Sequence, residues 1–126
     1  MATKTKVLIV EDEKMLGEMY KTKFEMEGFA VDQALDGQEG IDTARKSKPD
    51  IILLDIIMPK LDGFIVLQEL KKDDKTKDIP VILLTNLGQE DDVKRGKKLG
   101  ASDYFVKANH SPADVVVKVK SIIKNK

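Results

Sequence analysis

Five short apolar runs limit what this chain can fold into: Val7–Val10, Ala30–Ala34, Ile51–Leu54, Val81–Leu84 and Tyr104–Val106. All but the second lack polar alternation, the pattern of strands covered on both faces of a parallel sheet. The segments between them carry helical spacing. Leu16, Met19, Tyr20 and Phe24 predict the apolar stripe of a first helix, with Gly28 as its stop. Asp36 precedes a second helical segment containing Ile41 and Ala44, and Pro49 separates that segment from the next strand. A third helix is predicted to start near Asp62 and to carry Phe64, Leu67 and Leu70. Gln89 to Leu99 offers only Val93, Gly96 and Leu99 to a core, so a helix there should be weakly held. Val115, Val116, Val119, Ile122 and Ile123 would suit a strand or a helix. Ser111 as N-cap, Pro112 in the first turn and Asp114 three residues after the cap favour the helix.

Strand followed by helix, repeated with right-handed crossovers, makes an α/β doubly wound parallel sheet with helices on both faces. In such sheets ligands sit beyond the carboxyl ends of the strands. Glu11 and Asp12 follow the first run, Asp55 the third, Thr85 the fourth and Lys107 the fifth. One acid at a strand end is usually a solvated loop residue or a helix cap. Three carboxylates, a hydroxyl and an ammonium converging on one rim are a stronger signal. Clustered carboxylates raise one another's pKa unless a cation lies between them. Hard oxygen donors suit Mg²⁺ better than Zn²⁺ or copper, and Mg²⁺ commonly binds one or two carboxylates together with phosphate oxygens. A lysine and a hydroxyl beside such a metal suit a transferring phosphoryl group. Rival ligands of similar sheets fit poorly. Val-Glu-Asp-Glu stands where a dinucleotide or flavin mononucleotide site needs phosphate-cradling glycines, and no Gly-x-x-x-x-Gly-Lys loop is present.

The 126 residues fit one domain, and 41% apolar with 35% charged residues is a globular balance. The 22 basic and 22 acidic residues cancel, which argues against a polycation. No apolar run approaches the ~20 residues of a membrane span, and no signal-peptide pattern precedes Val7. Without cysteine there is no disulfide framework or thiolate chemistry, and a cytoplasmic location is the simplest expectation. From Lys94 onward, nine basic residues meet only Asp103 and Asp114. This end reads as solvated helix faces, with a docking surface for an acidic partner as the sharper alternative.

Val-Glu-Asp-Glu at 10–13, Leu-Leu-Asp-Ile-Ile-Met-Pro at 53–59 with Asp62-Gly63, Leu-Leu-Thr at 83–85, Leu-Gly-Ala at 99–101 and Asp-Tyr-Phe-Val-Lys at 103–107 together resemble the receiver domain of two-component response regulators. The resemblance covers essentially the whole chain. It implies a single receiver domain over 1–126 and the flavodoxin-like five-stranded sheet in the order 2-1-3-4-5. Asp55 would take a phosphoryl group from the phosphohistidine of a histidine kinase or phosphotransfer protein. Asp12, Asp55 and the Ile57 carbonyl would ligate Mg²⁺, with Glu11 acting directly or through water. Thr85 and Lys107 would hold phosphoryl oxygens. Tyr104 matches the aromatic that turns inward as Thr85 moves, although a core aromatic is needed at the same place. Ile57 and Leu87 match positions that tune the phosphorylated lifetime. No enzymatic turnover is implied beyond self-phosphorylation and self-dephosphorylation, and neither a nucleic acid nor a membrane is an expected partner. A monomer or a phosphorylation-dependent dimer on the face from the fourth to the fifth helix is expected.

Two residues depart from the family's pattern. Ala108 stands where proline after a cis bond is usual, so the Lys107–Ala108 peptide is either trans in a differently shaped loop or cis and strained, since a cis bond to alanine costs roughly 2.5–4 kcal/mol. Asn86 stands where a small residue is usual and would restrict attack on the phosphate. A phosphatase with an aspartyl-phosphate intermediate usually wants an acid two residues after the nucleophile, and Ile57 is there. A degenerate receiver that only binds proteins is the other alternative. His110 reads as a loop residue, Met58 and Pro59 as loop shaping, and Met15, Met19 and Met26 as core or helix-surface filling. Glu90, Asp91 and Asp92 place negative charge at a helix N-terminus.

Overall fold

The computed structural model describes residues 4–86 and 90–124. Strands β1 (Lys6–Val10), β2 (Ala30–Ala34), β3 (Ile51–Leu54), β4 (Val81–Thr85) and β5 (Asp103–Val106) alternate with helices α1 (Lys14–Met26), α2 (Gly37–Ser47), α3 (Gly63–Lys72), α4 (Glu90–Lys98) and α5 (Pro112–Lys124). All strand pairs are parallel, and the order is β2-β1-β3-β4-β5. This is the expected doubly wound fold.

Alternation along the strands builds two cores. Leu8, Val10, Ile52, Leu54 and Leu83 face one side, where they meet Ile41 and Ala44 of α2 and Phe64, Val66, Leu67 and Leu70 of α3. Val7, Ile9, Ile51, Leu53, Ile82 and Leu84 face the other, against Tyr20 and Phe24 of α1 and Val115, Val116 and Val119 of α5. The edge strand β2 is only half-buried, which explains the polar alternation of its sequence.

Local signals set the helix ends. Asp36 Oδ1 accepts from the Glu39 N–H (2.8 Å) and Asp62 Oδ1 from the Ile65 N–H (3.0 Å). Ser111 Oγ accepts from the Asp114 N–H (3.2 Å), and Asp114 Oδ2 accepts from the Ser111 N–H (3.0 Å). This reciprocal capping box makes the valine-rich segment a helix. Gly28 ends α1 at φ +94°, where a side chain would be strained.

Two side-chain expectations change. Met19 belongs to no core: it is 47% exposed, because Tyr20, Phe24 and buried Gly17 already define the inward face of α1. Met15 and Met26 also lie on the surface. Ile122 and Ile123 are only partly buried near the end of α5. His110 lies in a loop as expected, and its ring stacks on Phe105 with centroids 4.5 Å apart. The basic end lies on the surface, where Lys118 pairs with Asp103 (3.0 Å) and Lys120 with Glu27 (2.9 Å). Among the described residues, no helix is long and apolar enough to cross a membrane.

Candidate functional site

Parallel pairing carries the backbone past the ends of β1 and β3. The Glu11 N–H donates to the Ala34 carbonyl (3.0 Å) and the Asp55 N–H to the Val10 carbonyl (3.0 Å). Both acids are thereby fixed to the sheet at its carboxyl edge, and both are buried, at 3% and 6% exposure. Asp12, one residue further along, is exposed. Carboxylate oxygens of Glu11, Asp12 and Asp55 lie within 4.8 Å of one another.

Lys107 joins the group from the end of β5. Its ammonium donates to Glu11 Oε1 and to Asp55 Oδ2, the latter at 3.0 Å. Backbone donors occupy the other oxygens: the Glu13 N–H reaches Glu11 Oε2 and the Ile57 N–H reaches Asp55 Oδ1, both at 3.2 Å. Thr85 ends β4 fully buried, one register step before Lys107 through its pairing with Val106. The structure thus brings Glu11, Asp12, Asp55, Thr85 and Lys107 to one rim.

The peptides among the described residues are all trans, Lys107–Ala108 included. Residues Lys107–Asn109 form a 3-10 turn after β5. Lys107 reaches both acids from this trans-linked turn. Asn86 and Ala108 are exposed at the rim, and Ile57 is 54% exposed. Leu87 lies outside the described residues.

Three carboxylates face one ammonium, so two negative charges are left uncompensated at full ionisation. Burial pushes the Glu11 carboxyl up to about 7; the Lys107 hydrogen bond opposes this and neighbouring Asp55 reinforces it. Burial alone would lower Lys107, but its contacts with Glu11 and Asp55 outweigh that and hold it above the ordinary lysine value. The ammonium therefore stays charged, and Glu11 bears the conflict. A divalent cation would relieve it. The donor set is all oxygen, and Mg²⁺ with ligands at about 2.0–2.1 Å spans about 4.2 Å. The acid spacing suits such an ion with carboxylates bound directly or through water.

Two glycines beside the site make close contacts that the sequence does not show. A Cβ on Gly63 would lie 2.4 Å from the Asp55 carbonyl oxygen and 2.6 Å from Ile56 Cα, so only glycine lets α3 start against the Asp55 backbone. The signal was present as Asp62-Gly63, a cap followed by the least favourable helix residue. A Cβ on Gly96 would lie 2.5 Å from Leu83 Cδ1 and 3.3 Å from Tyr104 Cδ2, which places α4 directly on the sheet beside Tyr104. Tyr104 is 8% exposed, and burial, with the charge of Asp92 adding to it, pushes its phenol up to about 12.

Known proteins share this fold and much of its sequence. The family model of the response regulator receiver domain matches residues 7–120. Protein PilH of Pseudomonas aeruginosa is 42% identical over 119 residues, covering 93% of each chain. The DNA-binding dual master transcriptional regulator RpaA of Synechocystis is 43% identical over 102 residues, 81% of this chain and 42% of RpaA. The chain spans about half the length of several curated relatives it matches. Among solved structures, the Francisella response regulator 1452 receiver domain superposes with a TM-score of 0.89 at 33% identity, covering 96% of this chain and 98% of that one. The chain belongs to the response regulator receiver domain family.

Proposed function

We propose that the chain is a single phospho-accepting receiver over 1–126, with Asp55 as the acceptor. The observation that carries this reading is the buried Asp55 carboxylate, tied to Glu11 through one lysine and clustered with exposed Asp12. In the transfer, an oxygen of Asp55 forms the new bond to phosphorus as the bond from phosphorus to the donor's histidine nitrogen breaks, and the electron pair leaves with the imidazole. Glu11, Asp12, Asp55 and the Ile57 carbonyl are the residues to hold Mg²⁺. When bound, that ion supplies positive charge to the transferring oxygens. Lys107 exchanges its contact with Asp55 for one with a phosphoryl oxygen, and Thr85 donates its hydroxyl to another.

The acylphosphate adds about −1.5 to −2 charge and three strong acceptor oxygens. Movement of Thr85 makes room beside Tyr104, whose ring touches the position of Gly96 on α4. The output is a changed surface over α4, β5 and α5, for a downstream protein or a second copy of the chain. Phosphate would come from a histidine kinase or phosphotransfer protein in the cytoplasm. The DNA binding named for RpaA belongs to a protein of which this chain covers 42%, and it decides nothing for or against nucleic acid here. Ile57, Asn86, Leu87 and Ala108 are the residues to tune the phosphorylated lifetime.

Incubation with Mg²⁺ and acetyl phosphate, followed by intact-mass measurement, tests this. One phosphate should be gained by the wild type and by no Asp55→Asn sample. Absence of any gain together with absent Mg²⁺ binding would leave only a protein-binding module.

A further inference from the structure

Beneath the acids, on the α1 side of the sheet, lies a small cavity. About 10 Å³ of it is open to a water molecule, close to the minimum that one buried water needs. Its polar lining is Glu11, Asp55 and Tyr20, and apolar side chains of β1, β3 and β4 complete the wall. Tyr20 is only 3% exposed and packs in the second core. Its phenol lies within the field of Lys107, Glu11 and Asp55, and it is the one tyrosine on that side of the sheet.

A buried water typically makes about three hydrogen bonds. This cavity offers three polar neighbours. Each ionised carboxylate accepts about four hydrogen bonds. Glu11 receives Lys107 and the Glu13 N–H, and Asp55 receives Lys107 and the Ile57 N–H. Acceptor capacity is therefore left on both acids. A phenol can donate to a water, which then donates one hydrogen to each carboxylate.

We propose that the cavity is a single-water site, and that Tyr20, through this water, is a positioning residue for Glu11 and Asp55. The inference rests on the receiver reading for its functional consequence, but the water site stands on the cavity alone. The bridge fixes the two acids from below, while Lys107 bridges them at the rim. Both carboxylates are then aimed before metal or phosphodonor arrives. A phenylalanine would fill the same core space and lose only the hydroxyl.

The experiment compares wild type with Tyr20→Phe. A high-resolution crystal structure of the metal-free wild type should show one water within hydrogen-bond distance of the Tyr20 hydroxyl, Glu11 and Asp55, and the variant should lack it. Calorimetric titration with MgCl₂ should give a Kd about tenfold weaker for Tyr20→Phe, the low end for loss of an outer-shell partner. A ring that serves only as core packing would leave Mg²⁺ binding unchanged in this variant. Mg²⁺ affinity within twofold of wild type, or no water at that place in the wild type, overturns the inference. The wild-type structure alone decides if the variant fails to fold. Failure of the wild type to take phosphate would instead sink the receiver reading and leave the water site to be judged by the crystals and the titration.

Discussion

Glu11 sits between Lys107, which favours its charge, and burial beside Asp55, which opposes it. The balance lifts its folded pKa from 4.5 to about 7. Between those values the folded chain keeps a proton that the unfolded chain has released. The folded state then binds more protons, so this group's contribution to stability falls as pH rises through the window. At 1.36 kcal/mol per unit, the loss is at most about 3–4 kcal/mol. Lys107 does not offset it: its raised value keeps its contribution intact below the ordinary lysine pKa, and that contribution is lost only at higher pH. Glu27 and Asp73 are lowered by their basic and backbone partners and act in the opposite sense at more acidic pH. The comparison with Glu11→Gln isolates the effect. Without divalent cations, the wild type should lose stability relative to Glu11→Gln between pH 5 and pH 7.5 in urea unfolding; a parallel pair of pH profiles would contradict this assignment. Asp55→Asn removes the opposing charge, and its unfolding free energy at pH 7.5 should exceed that of wild type by about 1 kcal/mol, read as a higher urea midpoint.

Helix α4 has a weaker hold than its neighbours, as its sequence foretold. Gly96 is its single buried residue, with Val93 and Leu99 partly packed against the core. What holds it instead is charge and contact. Acids fill its first turn and Arg95, Lys97 and Lys98 its last, in accord with the helix dipole. The Arg95 guanidinium lies 4.3 Å from the centre of the Phe64 ring. These tertiary contacts were not legible from periodicity, because no spacing rule connects Arg95 to Phe64 or Gly96 to Leu83. Alanine at 96 would gain about 1 kcal/mol in helix propensity. Its Cβ would also enter the space of fully buried Leu83, an overpacking cost of about 1–3 kcal/mol. Gly96→Ala should therefore be destabilised or neutral in thermal unfolding despite the better helix former, and the Tyr104 resonances should shift. The cap of α5 was legible, since it depends on neighbours in sequence. Ser111→Ala should cost about 1 kcal/mol, read as a lower urea midpoint with unchanged Mg²⁺ affinity.

For the molecule as a whole, the sheet and the rim were readable because a parallel sheet sends every strand end to the same edge. Asp55, Glu11, Asp12, Thr85 and Lys107 were thus placed by topology before any distance was known. Their pairing was not readable: that Lys107 spans Glu11 and Asp55 depends on how the turn at 107–109 bends, and Tyr20 beneath them depends on the packing of α1. That pairing sets a test of the fold and site together. The folded chain gathers three carboxylates that the unfolded chain scatters, so Mg²⁺ should bind the folded state far better. At a free concentration ten times its Kd, it should then stabilise by about 1.4 kcal/mol. For a domain of this size that is about 5 °C in Tm, measurable by circular dichroism. Asp12→Asn should reduce the shift without lowering the metal-free Tm, because Asp12 is exposed and only its role in the cluster is lost. An equal shift in that variant would mean the ion binds elsewhere.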